Sequence, residues 1–196
     1  MKKITLINPP WFFAHPRDII IPNNLGIGYI ASYLESKSHK VTIIQSVAEA
    51  TKNIRKIKGR YQSYYQVGLD YAQIINKIPE DSDLIGISAP FTNHSRIVKE
   101  LAVVIKSRFA NTPIILGGAY PSLILKDALC KEIDFYVVGE GEKALRDLVQ
   151  GKDIKEIKGL FAYNIIPENI KQAEIFDNLD ELPFPKRDKL NITSIS

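Results

Sequence analysis

The residues with chemical possibilities fall in short clusters, each closing an apolar run. Leu84–Ser88 ends in Ser88-Ala89-Pro90, and Ile114–Leu116 ends in Gly117-Gly118. Phe135–Val138 ends in Gly139-Glu140-Gly141-Glu142, and the first run, Ile4–Ile7, ends in Asn8-Pro9-Pro10. The chemistry these residues offer is binding. The Ser88 hydroxyl can donate a hydrogen bond, and a side chain at Gly117 or Gly118 would fill space that a flat ligand could otherwise enter. The stretch Gly139-Glu140-Gly141 opens a helix whose bare backbone N–H groups can hold an anion or an amide oxygen. Its acidic residues are equally explained as partners of the helix dipole.

The remaining reactive groups are few. The chain has 196 residues with one cysteine and three histidines. A single cysteine, Cys130, excludes an internal disulfide and an all-cysteine metal site. Its apolar spacing with Leu125, Ala128 and Leu129 predicts a buried structural thiol. The Gly26-x-Gly28 pair invites a dinucleotide reading, but the third glycine is absent and no acidic residue ends the second strand. A phosphate-binding loop after the first strand is a poor prospect, since Pro9 and Pro10 offer no N–H donors.

Composition bounds the class. A hydrophobic fraction of 45% with 24% charged residues is that of an ordinary globular protein. No run approaches the ~18 apolar residues of a membrane span, and the amino terminus is too short for a signal peptide, so a cytoplasmic protein without membrane contact is expected. The net charge of +4 is uneven, with ten basic against three acidic residues up to Leu69. In that part Lys52, Arg55, Lys56, Lys58 and Arg60 precede Tyr61, Tyr64 and Tyr65, a mixture that can hold single strands by phosphate contact and stacking. Charge runs are more often solvated faces, so nucleic acid is not an expected partner.

The elements that must position the clusters read as alternating strands and helices. Strands are predicted at Lys3–Asn8, Lys40–Gln45, Leu84–Ser88, Ile114–Leu116 and Phe135–Val138. Helices are predicted from Asn23 or Asn24, either of which can cap, to about Lys37, and from Asp70, which forms a capping box with Gln73. Another runs to Phe109 with Ile97, Leu101, Val104 and Ile105 on one face, one starts near Pro121, and one spans Lys143–Val149. This order implies right-handed crossovers and a doubly wound α/β fold. The expected sheet is five-stranded and parallel, in the order 2-1-3-4-5, with ligands beyond the carboxyl ends at the switch between strands one and three. A small β-hairpin of Ile157–Tyr163 and Ile170–Ile175 should follow. Ala48–Gly68 is expected to be an irregular surface excursion. Trp11, Phe12 and Phe13 either pack back on the sheet edge or line the ligand cleft.

In order and spacing, Asn8-Pro9-Pro10, the helix Leu25-Gly26-Ile27-Gly28-Tyr29, Ser88, Gly117-Gly118 and Val138-Gly139-Glu140-Gly141-Glu142 resemble the cobalamin (vitamin B12)-binding domain that precedes the radical S-adenosylmethionine domain in many enzymes. The segment Asp180-Glu181-Leu182-Pro183-Phe184-Pro185-Lys186-Arg187-Asp188 resembles the connector between the two. The resemblance implies a cobalamin-binding domain over residues 1–150, an extension over 151–178 and a connector over 179–196. The cofactor would be contacted by Asn8, Pro9, Pro10, Asn24, Gly26 and Ser88-Ala89-Pro90 at one side. Gly117, Gly118 and Gly139-Glu140-Gly141 would contact it at the other. It also implies a radical S-adenosylmethionine domain in cis, with an iron–sulfur cluster and S-adenosylmethionine held there, since no CxxxCxxC occurs in this chain. Methyl transfer or ring closure of the anaerobic magnesium-protoporphyrin ester cyclase type would be the reaction, and no catalytic residue is assigned here. Related domains that ligate cobalt carry DxHxxG before the first helix. Here Ile21 and Asn23 stand at the aspartate and histidine positions, so no lower histidine ligand is expected. His15 and His94 are the substitutes to consider, His39 lying at the wrong strand end. The alternative is a degenerate α/β regulatory or interaction domain that no longer binds cobalamin.

Overall fold

The computed structural model describes residues 1–19, 24–58 and 63–190. Ile21, Asn23, Arg60 and Tyr61, all singled out above, and residues 191–196 of the connector lie outside the described residues. In chain order the elements are β1 (Lys3–Asn8), β2 (Trp11–Phe13), α1 (Leu25–Ser36), β3 (Lys40–Gln45), α2 (Ser46–Glu49), β4 (Ile54–Lys58), β5 (Ser63–Val67) and α3 (Tyr71–Lys77). They continue with β6 (Leu84–Ser88), α4 (Ser95–Arg108), β7 (Ile114–Gly117), α5 (Ala119–Ala128), β8 (Phe135–Val137), α6 (Gly141–Val149) and β9 (Leu160–Ala162).

The main sheet has the order β3-β1-β6-β7-β8-β9. Its first five strands are parallel, in the sequence order second, first, third, fourth, fifth. Period-2 alternation divides the apolar side chains between two faces. Ile7, Ile85, Ile87, Ile114, Leu116 and Tyr136 pack under α3, α4 and α5. Ile4, Leu6, Leu84, Ile115 and Val137 pack under α1 and α6. The predicted capping box of α3 is present, Asp70 accepting from the Gln73 N–H at 2.7 Å and the Gln73 side chain accepting from the Asp70 N–H at 2.9 Å. Helix α5 departs from the expected regular helix, with non-helical backbone at Ile124.

Two expectations fail. Ile157–Tyr163 contributes only the short β9, which pairs antiparallel with β8 as a sixth strand of the main sheet. Ile170–Ile175 forms no strand. It crosses the end of β8, tied by the Ala173 N–H to the Val138 carbonyl at 2.7 Å, with Ile170 and Ile175 exposed. The Ala48–Gly68 excursion is also more regular than anticipated. Strands β4 and β5 join β2 in a second, antiparallel sheet of order β2-β5-β4. Trp11 pairs with Val67 and Phe13 with Tyr65, so the aromatics of the first loop find partners more than fifty residues later.

Beyond β9 the chain returns to α1. The Ser32 hydroxyl donates to the Phe184 carbonyl at 2.6 Å, Lys189 bridges Glu35 and the Val41 carbonyl, and Leu190 is buried beside Gly28. No helix among the described residues is long and apolar enough to cross a membrane.

Candidate ligand-binding site

The pleat that sorts the core also builds a cavity. Gly86 and Ser88 on β6, Ile115 and Gly117 on β7, and Val137 with the following Gly139 all share the face covered by α1 and α6. Beside Ile115 and Val137, this row carries three glycines and a serine. A half-enclosed cavity of about 240 Å³ results. Its floor is Leu6, Gly86, Ile115 and Val137, its roof Ile27 and Ile30 of α1 and Leu145 of α6, and Ser88, Pro90 and Ala119 lie at its strand-end side. A gap of this size is unusual in a close-packed interior, where unfilled volume costs about 24 cal/mol per Å³.

The glycines serve different purposes. A Cβ on Gly117 would meet nothing nearer than Val137 Cβ at 3.9 Å, so the position is open toward the cavity. Gly118 is fixed by the backbone instead. Its φ is +110°, and a Cβ would lie 2.6 Å from the Ala89 carbonyl oxygen. That carbonyl accepts the Tyr120 N–H at 3.0 Å, while the Ala89 N–H donates to the Gly117 carbonyl at 2.8 Å. The expectation that both glycines make room therefore divides, one leaving space and the other allowing the turn.

A polar row borders the cavity. Asn24 stands at the N-cap of α1 but makes no cap bond. Its amide donates instead to Ser88 Oγ at 3.0 Å and, at a longer 3.4 Å, to Asn8 Oδ1. Asn8 in turn donates to Gln45 Oε1 at 2.8 Å. Because Ser88 accepts from Asn24, its own proton remains available for a ligand. Asn24, Gly26, Ser88, Pro90, Gly117, Gly118, Gly139, Glu140 and Gly141 thus line the cavity. Asn8 stands behind Asn24, and Pro9, Pro10 and Ala89 are buried in the supporting layer.

The cavity also has a wall residue that the candidate set omits. Glu142, at the start of α6, is 6% exposed and lines the cavity with Glu140. Burial pushes its carboxyl above the usual carboxylate range; its own backbone N–H opposes the shift and Glu140 adds to it. The spacing of the 139–142 motif was the available signal, and only the closing of α1 over α6 shows that this acid faces inward.

The three histidines lie elsewhere. His94 is 2% exposed, edge-on to Trp11 and Phe91 at centroid distances of 5.1 and 5.8 Å. Burial lowers its pKa to about 4, and its Nδ1 has no partner. His15 accepts the Arg17 N–H at 3.1 Å. His39 accepts the Lys2 N–H at 3.3 Å, at the amino ends of the strands. Trp11 packs with Val47 and Val67, so the aromatic loop supports the second sheet and is not part of the cavity wall. Cys130 is half-buried, its thiol donating to Glu132 at 3.0 Å, and burial raises its pKa. Arg55 of the basic stretch pairs with Asp70 at 2.8 Å.

A doubly wound sheet with a slot between its carboxyl-end glycines and two helices defines a ligand-binding α/β domain, the slot reaching from the edge of β1 across β6 and β7 to β8. The family model described as B12 binding domain matches residues 21–149, and the chain belongs to that family. Among curated proteins, the chain is similar to cytidylyl-2-hydroxyethylphosphonate methyltransferase of Streptomyces wedmorensis, with 31% identity over 149 residues, 72% of this chain and 27% of the relative. It is also similar to anaerobic magnesium-protoporphyrin IX monomethyl ester cyclase of Synechocystis sp., with 35% identity over 83 residues, 39% of this chain and 16% of the relative. The chain thus spans about a quarter or less of the length of these relatives.

Proposed function

We propose that this chain binds cobalamin as the amino-terminal domain of a radical S-adenosylmethionine enzyme. The observation that carries the proposal is the cavity beneath α1 and α6, left open at Gly117. The residues present fit the group. The apolar slot suits the cofactor's nucleotide tail, Ser88 can donate to it, and the strand-end loops Asn8–Pro10 and Ser88–Pro90 would carry the corrin. Cobalamin, when bound, would supply cobalt-centred methyl or radical chemistry to the whole enzyme. The chain's own residues bind and orient it and shield its tail from water.

Two further features of the proposal concern cobalt and the rest of the enzyme. The burial of His94 against Trp11, and the distance of His39 from the strand carboxyl ends, support a cobalt without a lower histidine from this chain. The connector's attachment to α1 supports a following domain held close to the cavity's roof. Methyl transfer or ester cyclisation would be the reaction, by similarity to the two relatives. The iron–sulfur cluster and S-adenosylmethionine would belong to that following domain.

The test is an absorbance titration of the purified chain with hydroxocobalamin, followed by gel filtration. Co-elution of cofactor with a shifted visible spectrum is expected. Elution of colourless protein at micromolar concentration would leave a degenerate regulatory domain as the better account.

A further inference from the structure

Glu142 stands in the first turn of α6, where an acid complements the helix N-terminus, but its burial goes beyond what that role requires. A glutamate in the first turn of a helix ordinarily stays ionised and exposed, where it complements the dipole. Glu142 is instead buried at 6% exposure, and its wall-mates are Leu6, Ile27, Ile30, Val137 and Leu145. Among the described residues the cavity lining contains one other ionisable group, Glu140, on the same element; the lining residues of the sheet and of α1 contribute none. No cation among the described lining residues offsets its charge, and burial shifts its equilibrium toward the neutral form relative to a solvated glutamate. A neutral carboxyl is a donor as well as an acceptor. An apolar slot with one buried carboxylic acid in its wall is complementary to a flat aromatic ring carrying one unprotonated ring nitrogen.

Resting on the proposed cobalamin binding, we infer that Glu142 recognises the heteroaromatic base of the cofactor's nucleotide tail, donating a hydrogen bond to the ring nitrogen that is free when the base does not ligate cobalt. Glu142 is then the residue that distinguishes a complete cobamide from a corrinoid with no base, or with a base lacking that nitrogen. Ser88 and Asn24 lie at the strand-end side of the cavity and meet the more polar part of the tail.

Equilibrium binding to the full chain tests this with three probes: hydroxocobalamin, cobinamide, which lacks the nucleotide tail, and p-cresolylcobamide, whose tail ring has no nitrogen. Wild type, Glu142→Leu and Glu142→Gln are compared, with melting temperatures to establish folding. Glu142→Leu is expected to weaken hydroxocobalamin roughly three- to tenfold, the worth of one hydrogen bond. It should leave cobinamide and p-cresolylcobamide unchanged. Glu142→Gln, which retains an N–H donor, should restore hydroxocobalamin binding. Wild-type affinity should fall as pH rises through the titration of Glu142, because a carboxylate cannot donate; the Gln variant should show no such slope. Equal losses for all three probes, or unchanged hydroxocobalamin affinity in the folded Leu variant, would overturn the inference while leaving cobalamin binding intact. If wild type binds none of the probes, the inference fails together with the cobalamin proposal.

Discussion

Substitution of Gly117 by leucine separates a glycine kept for a ligand from one kept for the backbone. Its Cβ would have Val137 Cβ at 3.9 Å as its nearest neighbour, and its φ lies outside the left-handed region. The side chain would point into the apolar cavity of about 240 Å³. Burying a leucine there stabilises by about 1.5–3 kcal/mol. Removing glycine from a strand adds about 0.5–1 kcal/mol by restricting the unfolded chain. Allowing about 1 kcal/mol for imperfect packing, the net gain is about 2 kcal/mol. At about 2–4 °C per kcal/mol for a domain of this size, the melting temperature should rise by about 4–8 °C. The same isobutyl group would occupy the slot, so the variant should lose hydroxocobalamin on gel filtration. Calorimetry and cofactor retention are read on the same sample. A lower melting temperature would refute the claim that the position is open. Undiminished cofactor retention in a stabilised variant would refute the claim that the slot holds the tail.

Gly118→Ala should do the opposite to stability, losing about 1–3 kcal/mol from a strained φ of +110° and contact with the Ala89 carbonyl; thermal melts read this directly. His94→Phe should leave the spectrum of bound cobalamin unaltered, since His94 faces Trp11; a changed spectrum would restore it as a cobalt ligand. The same variant should remove part of the acid sensitivity of folding. The folded pKa of about 4 lies below the unfolded value of about 6.5, so stability from the neutral ring is complete above pH ~6.5. It declines through that window by up to about 3 kcal/mol, and urea unfolding at two pH values measures it. Gly28→Ala would place a Cβ 2.9 Å from Leu190 Cδ1 and 3.2 Å from Pro185 Cβ. It should speed tryptic cleavage at Lys186 and Lys189 roughly tenfold if the connector loses about 1.4 kcal/mol of attachment; an unchanged rate would show that the connector does not depend on this contact.

The parallel sheet was legible because each of its strands is a short β-branched run that stops at proline, glycine or a polar residue. Ile85-Gly86-Ile87-Ser88 illustrates how far this goes. The alternation already places Gly86 and Ser88 on one face, although only Ser88 was chosen as a candidate. The second sheet was not legible, because its pairing of Trp11 with Val67 joins distant segments. Its strand β4 carries Arg55, Lys56 and Lys58, which read as a solvated run. Ala173 and Ile175 share the two-residue spacing of a strand face, yet the segment is held by one backbone bond at Ala173 and by side-chain contacts from Lys143 and Lys158, not by strand pairing. Alternation measures which residues seek cover, and pairing needs a free strand edge that local sequence does not specify. Glu142 was hidden for the same reason, its burial depending on Ile27 and Ile30 from a helix more than a hundred residues earlier.

Two devices at the roof of the cavity act on the same helix. On its inner side α1 presents Ile27 and Ile30 to the cavity. On its outer side it carries Gly28, Ser32 and Glu35, where the connector attaches through Leu190, the Phe184 carbonyl, Lys186 and Lys189. At its N-cap Asn24 forgoes the usual capping bond to hold Ser88. A ligand that enters beneath Ile27 and Ile30 therefore meets a helix already fixed at both its start and its back. Preorganisation of this kind reduces the ordering cost of binding. It also makes the connector a contributor to affinity without touching the ligand. Cutting or displacing it should weaken cofactor retention even when every residue lining the slot is unchanged.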